Sequence, residues 1–388
     1  MIDFQYYNPA KIIFGTDSEQ NLKQLLKDSN VTSLFLVYGG NTIKKLGIWD
    51  LVNKTCEDLE IKLTEKGGVV PNPKIEHVRE LIEIGKENNV DFILAVGGGS
   101  SIDTAKAISV GIPYGGDVWN FFEGKDTIST AIPVGVISTI PASGSEISNC
   151  CVISNGLYKL GVEHDLIIPK FAIMNPKFTL SLPQYQSACG ISDILSHLLE
   201  RYFTDVKYVD TTDYLIEGAC KSLIVNAERL MKNPDDINAR AEIQWLASIA
   251  HNNLLDTGRV ADWGSHRIEH ELSAQYGLTH GEGMAIVLVA WTKYMAYNKP
   301  SKLAQLANRL FNIDYNNYSE EEMALKLSSH LDDFFTLLNL NTKLSQKGIT
   351  DEHFELMAMR ATNNNQSTVG HYIPLDVSRF VDILKLAL

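Results

Sequence analysis

A change of pattern near residue 183 limits the fold of this chain more than any other feature. Before it, short β-rich runs (SLFLVYGG, 33–40; DFILAVGGGS, 91–100; TAIPVGVIST, 130–139) alternate with helix-like segments at 43–58 and 75–88. Alternation of this kind builds βαβ units around a parallel sheet. After TLSLP (179–183) the strand signals stop, and segments with a 3.6-residue period follow at 186–203, 209–231, 236–256, 264–275, 281–297, 319–339 and 374–387. The pattern predicts a Rossmann-like α/β domain over 1–183 and an all-helical domain over 184–388. A chain of 388 residues has room for both, since single cores stop growing at roughly 250–300 residues.

Charge and composition then remove whole classes of function. With 34 basic against 47 acidic side chains, the formal charge of −13 repels nucleic acid and anionic lipid, and no basic patch offsets it. The longest apolar run, 284–291, is far short of a membrane span, and the N-terminal stretch MIDFQYYNPAKIIFG has no leader pattern, so a cytoplasmic protein is expected. The five cysteines are scattered and lack CxxC spacing. Any metal must therefore be held by nitrogen and oxygen.

Three strand ends carry residues suited to an extended, phosphate-bearing ligand. In VGGGSSIDTAK (96–106) a hydrophobic strand runs through Gly97, Gly98 and Gly99 into a helix start with Ser100, Ser101 and Asp103. Glycines let backbone approach a ligand closely, and a helix N-terminus offers unpaired N–H groups to a phosphate. The spacing is not the ordinary G-x-G-x-x-G fingerprint, and a tight strand-to-helix turn that binds nothing would read alike. VYGGN (37–41) and STIPASGSE (138–146) end two other strands. Ligands of open α/β sheets lie at the carboxyl ends of strands, and a dinucleotide suits three such ends together.

Three of the ten histidines fall in DWGSHRIEHELSAQYGLTHGEG (262–283). On a helix His266 and His270 leave the same face one turn apart, as do Asp193 and His197 in CGISDILSHLLE (189–200). Thr279 and Glu282 form a capping-box pattern that would place His280 in the first turn of the next helix. A lone helical histidine is usually a packed or surface residue, but two such pairs and a third helix start point to a metal. Spacing leaves five candidate ligands: Asp193, His197, His266, His270 and His280. It does not say which of His266 and His270 binds.

The stretches GGGSSIDTAK, DILSHLLERYF and DWGSHRIEHELSAQYGLTHGEGMAI closely resemble the iron-containing (group III) alcohol dehydrogenases, and VYGGNTIKKLG with PNP (71–73) looks like the butanol dehydrogenase branch. The resemblance spans nearly the whole chain, through LDVSRF (375–380). It implies a divalent metal, Fe2+ or Zn2+, held by Asp193, His197, His266 and His280, with His270 as the catalytic residue between metal, substrate and nicotinamide. Gly97, Gly98, Gly99 and Ser100 then match the pyrophosphate loop, with Asp103 beside it, and Thr139, Ser143 and Lys159 match the nicotinamide and ribose region. Gly39, Gly40 and Asn41 offer no carboxylate to a ribose 2′-hydroxyl, and Lys44 and Lys45 follow them, as in NADP-using members; NADP(H) is expected over NAD(H). The same resemblance implies a homodimer.

The expected reaction is interconversion of a primary aliphatic alcohol and its aldehyde. Three neutral imidazoles and one carboxylate leave a divalent ion a net charge near +1, enough to polarise an oxygen, and hydride passes to or from the dinucleotide. Two relatives in fold define the alternatives: a lyase like dehydroquinate synthase, and polyol oxidation of the glycerol dehydrogenase kind. The lyase needs Lys and Arg gathered around a phosphorylated acid, and 262–283 offers only Arg267. A metallohydrolase would leave the glycine turns idle.

Overall fold

The computed structural model describes all residues, Met1–Leu388, and divides them into two compact units, Tyr7–Leu182 and Pro183–Leu388 together with Met1–Tyr6. The first six residues, which the sequence pattern grouped with the α/β domain, thus fall with the helical unit, where Ile2 N–H donates to Gly258 O at 3.1 Å.

The Tyr7–Leu182 unit contains strands β1 (Lys11–Phe14), β2 (Ser33–Tyr38), β3 (Lys62–Lys66), β4 (Phe92–Gly97), β5 (Val134–Ser138), β6 (Cys150–Asn155), β7 (Tyr158–Glu163) and β8 (Phe171–Met174). Its helices are α1 (Leu22–Asp28), α2 (Thr42–Lys45), α3 (Ile48–Asp58), α4 (Ile75–Glu87), α5 (Gly99–Gly111) and α6 (Trp119–Phe122). Six strands form a sheet in the order β1-β8-β5-β4-β2-β3, with every pair parallel. The continuous apolar runs of β2, β4 and β5 are explained by burial on both faces, as parallel sheets require. One face packs on α4, α5 and α6 through Val78, Ile82, Ile102 and Phe122, the other on α1 and α3 through Leu22, Leu26 and Val52.

The three strand windows read from the sequence are β2, β4 and β5. The segment 43–58 is two helices rather than one, because Gly47 at φ +70 breaks it. Strands β1, β3 and β8 are too short or, in KLTEK, too polar to show a strand period. Strands β6 and β7 form an antiparallel hairpin in which Asn155 pairs with Tyr158 across Gly156 and Leu157. Gly156 sits at φ +57 in the first of the two turn positions, and a glycine there, between two β-rich runs, is the hairpin signal that the hydrophobic pattern did not show.

The other unit is helical: α7 (Gln184–Tyr202), α8 (Asp210–Lys232), α9 (Ile237–Ala250), α10 (Gly264–Tyr276), α11 (His280–Asn298), α12 (Ser301–Phe311), α13 (Glu320–Leu337), α14 (Phe354–Ala361) and α15 (Val377–Leu386). Its core is continuous, with α7 and α11 buried nearly all round. A helix apolar on every side belongs at the centre of a bundle. The expected helix at 236–256 ends at Ala250, since Asn253 adopts φ +66 and turns the chain into a short 3-10 segment, Leu254–Asp256. Helices α12 and α14 were not expected.

Candidate functional site

Helix α7 carries Asp193, His197 and Glu200 at spacings of four and three, so the three side chains share a face. Helix α10 begins at Gly264, behind a turn in which Trp263 takes φ +59 and Asp262 accepts hydrogen bonds from Gly264 N at 2.9 Å, His371 N at 2.9 Å and Tyr372 N at 2.7 Å. That turn aims His266 at α7. The helix ends at Gly277 in the left-handed conformation, which only a residue without Cβ adopts at little cost, and α11 starts three residues on with His280. Thr279 is the residue before that helix but makes no side-chain cap. The expected capping box is absent because Glu282 is drawn away to Tyr185 Oη at 3.0 Å, Asn341 Nδ2 at 2.8 Å and Lys347 Nζ at 3.0 Å.

The three helices bring four side chains to one point. Asp193 Oδ1 lies 3.3 Å from His280 Nε2 and 3.8 Å from both His197 Nε2 and His266 Nε2. Ligand atoms of Asp193, His266 and His280 all lie within 4.8 Å of one another. His270 stands one turn from His266, with ring centroids 6.2 Å from His266 and 5.9 Å from His280, and can form a second grouping with Glu269 and His280. Burial would raise the Asp193 carboxyl, but the surrounding imidazoles of His197, His280 and His266 hold it well below the usual carboxylate range. Burial drives His197 well below its usual value, leaving it neutral, the form that ligates. His266 is pulled down by burial, yet the Glu200 carboxylate and Asp193 push it up to about 9.

A divalent cation fits this donor set. Asp193 Oδ1 and His266 Nε2 are buried and face one another at 3.8 Å, beyond hydrogen-bond reach, so their lone pairs are open to a cation that displaces the ring's second proton. One carboxylate and three imidazoles are the donors that suit Fe2+ or Zn2+. Glu200 and Glu269, which pair with the outer nitrogens of His266 and His280, were missed in the sequence. Each follows a candidate ligand by three residues, His197 and His266 respectively, and that spacing was the available signal.

In the Tyr7–Leu182 unit, strand register puts the expected dinucleotide residues at the carboxyl ends of neighbouring interior strands: Tyr38 pairs with Val96 and Gly97 with Ser138, so Gly39, Gly98 and Thr139 follow those ends. Thr139 N–H donates to Gly97 O at 2.9 Å. The glycine run is also demanded by packing, for a Cβ on Gly98 would meet Ile140 Cβ at 2.8 Å and one on Gly99 would meet Ser143 Oγ at 2.5 Å. Ser100 lies in the first turn of α5. Asp103 is committed within the protein: its oxygens accept from Ser145 Oγ at 2.6 Å and Val152 N at 3.1 Å. Burial raises its carboxyl despite Lys106 nearby. Lys106, another residue the motif reading passed over, donates to the carbonyls of Ser148 and Cys150 at 2.8 Å each and ties the β6–β7 hairpin to α5. That hairpin presents Lys159, buried opposite Ser154. Gly40 and Asn41 follow β2, and Lys44 in α2 lies 5.0 Å above the Trp49 ring. His371 takes part through its backbone alone, in the bond to Asp262.

The iron-containing alcohol dehydrogenase profile matches residues 9–176, and the C-terminal profile of the Fe-containing alcohol dehydrogenase family matches 187–388. The chain belongs to the iron-containing alcohol dehydrogenase family. This dehydrogenase is 36% identical to NADH-dependent butanol dehydrogenase A of Clostridium acetobutylicum, over 99% of each chain. It is 33% identical to the NADPH-dependent aldehyde reductase YqhD of Escherichia coli, over 98% of each. The crystal structure of NADH-dependent butanol dehydrogenase A from Thermotoga maritima superposes with a TM-score of 0.94 at 34% identity, covering 99% of this chain and 98% of that one. An iron-containing alcohol dehydrogenase interconverts an alcohol and an aldehyde, which sets aside the lyase alternative. No helix is long and apolar enough to cross a membrane.

Proposed function

We propose that this enzyme reduces a short aliphatic aldehyde such as butanal, and oxidises the matching primary alcohol, with NADP(H) and a divalent metal, Fe2+ or Zn2+, held by Asp193, His197, His266 and His280. The observation that carries the reading is the approach of three imidazole Nε2 atoms to one carboxylate oxygen at 3.3–3.8 Å. When bound, the ion supplies Lewis acidity at the reacting oxygen and the dinucleotide carries the hydride. The protein does the rest. Asp193, ionised among imidazoles, sets the charge of the site, and neutral His197 adds none. His270, one turn along α10 from His266, is placed to move the proton of the alcohol oxygen, and an imidazole suits transfer near neutral pH. Gly97, Gly98, Gly99 and Ser100 bind the pyrophosphate at the start of α5. Asp103 and Lys106 hold the loops that carry Ser143 and Lys159 toward the nicotinamide and its ribose.

NADP(H) is favoured because Gly39, Gly40 and Asn41 carry no acid and Lys44 follows them in sequence; similar proteins are named for NADH and for NADPH, and turnover with each dinucleotide decides between them. A homodimer in the cytoplasm belongs to the same reading; sedimentation tests the dimer and cell fractionation the compartment. The deciding experiment is anaerobic purification, metal analysis, and reconstitution with Fe2+ or Zn2+, followed by butanal-dependent oxidation of NADPH and NADH. Stoichiometric metal and NADPH-linked turnover are expected. Protein that binds no metal, or that turns over glycerol but not butanal, overturns the proposal.

A further inference from the structure

We infer that Glu200 and Glu269 are positioning residues that set the metal affinity of the site unequally among its histidines, holding His266 and His280 while His197 is left without such support. The inference rests on the metal reading above. His266 sits between two acids: Nδ1 pairs with Glu200 Oε2, and Nε2 lies 3.8 Å from Asp193 Oδ1. His280 repeats the arrangement, with Nδ1 on Glu269 Oε2 and Nε2 3.3 Å from the same Asp193 oxygen. An imidazole that ligates a cation has given up one proton and keeps a single N–H. Donated to the glutamate from Nδ1, it leaves the lone pair on Nε2, turned to the shared point.

Both glutamates are themselves fixed. Glu200 is 1% exposed and its Oε1 accepts from Ser265 Oγ at 2.5 Å and His266 N at 2.9 Å. Glu269 is 0% exposed, and its Oε1 accepts from Ser273 Oγ, whose oxygen is also 3.1 Å from the Leu278 carbonyl in the turn leading to His280. Gly283 leaves room for this carboxylate, since a Cβ there would meet Glu269 Cγ at 2.9 Å. Burying two carboxylates is expensive unless each has a fixed donor, and each has a histidine. His197 differs. Its Nδ1 is buried without a hydrogen-bond partner, and its ring packs on His251 with centroids 4.4 Å apart.

The test measures Zn2+ affinity by competition with a chromophoric chelator, and the ligand-field spectrum after Co2+ loading, in wild type and in Glu200→Gln, Glu200→Ala, Glu269→Gln and Glu269→Ala. Outer-sphere partners of this kind are worth about 10–100-fold in metal affinity. A loss in that range is expected for each Ala variant, with a shifted Co2+ spectrum, and a smaller loss for each Gln variant. Gln keeps the shape and one acceptor oxygen for Nδ1–H, while its NH2 replaces the oxygen that faced the serine hydroxyl; the side-chain volume is kept, so Gln is the milder change where Ala leaves a cavity. A merely structural glutamate would lower the unfolding temperature of the metal-free protein and leave affinity alone. Wild-type Zn2+ affinity in both folded Gln variants and in any folded Ala variant overturns the inference. Failure of the underlying reading is distinct: there, wild type binds no Zn2+, or Asp193→Ala binds it undiminished.

Discussion

At the scale of the residue, the division of labour on α10 turns on two histidines one turn apart. His266 Nε2 faces Asp193 at 3.8 Å, whereas His270 is partly exposed and its ring stands 6.2 Å from that of His266. His270→Ala is therefore expected to retain metal, measured by elemental analysis, and to lower kcat by about 10²–10⁴-fold with an altered pH profile, the usual contribution of a proton-transfer group. If His270→Ala empties the site and His266→Ala does not, the two roles are reversed. Gly39 offers a second test. A Cβ there meets only the Val69 carbonyl, at 3.3 Å, so a side chain can be accommodated by a small shift. Gly39→Asp should raise KM for NADPH by roughly tenfold or more through charge repulsion, with little change for NADH. Steady-state kinetics with both dinucleotides decide it, and equal KM shifts would remove the 2′-phosphate from this turn.

At the scale of the element, the site depends on how closely α11 approaches α7. A Cβ on Gly281 would collide with the backbone carbonyl of Cys189, and backbone cannot rotate away as a side chain can. Gly281→Ala must push the two helices apart beside His280. Overpacking of a buried contact costs about 1–3 kcal/mol, and here the displaced residue adjoins His280, a ligand in the proposed site. Lower thermal stability together with weaker Zn2+ binding is expected; unchanged binding would show that His280 tolerates the displacement. The i, i+4 pairs Asp193–His197 and His266–His270 were legible from spacing because helical geometry is local. The direction in which each face points was not, because it is set by packing. The expected Thr279–Glu282 capping box failed for that reason: Tyr185, Asn341 and Lys347, all remote in sequence from Glu282, compete for its carboxylate.

At the scale of the whole molecule, the proposed function gives the two units different ligands, and removing each should then loosen a different part of the chain. A ligand present at about a thousand times its Kd stabilises the form that binds it by about 4 kcal/mol. Chelation should therefore raise amide hydrogen exchange in α7, α10 and the start of α11. Omission of NADPH should raise it around Gly39, Gly97–Ser100 and Thr139. Mass spectrometry resolves the two, and an exchange pattern indifferent to metal would argue against a site on those helices. The sequence alone determined the succession of a parallel α/β unit and a helical one, since hydrophobic period and turn chemistry are properties of neighbouring residues. It also determined the candidate ligands, because their spacing on one helix is covalent. Only the tertiary structure decided that β1 and β8, too short to show a period, join the sheet. Only it decided that Asp103 and Lys106 serve the loops around the glycine run. And only it brought Glu200 to His266, sixty-six positions apart in the chain. No local pattern encodes such a pair; it exists because α7 and α10 pack with those faces together.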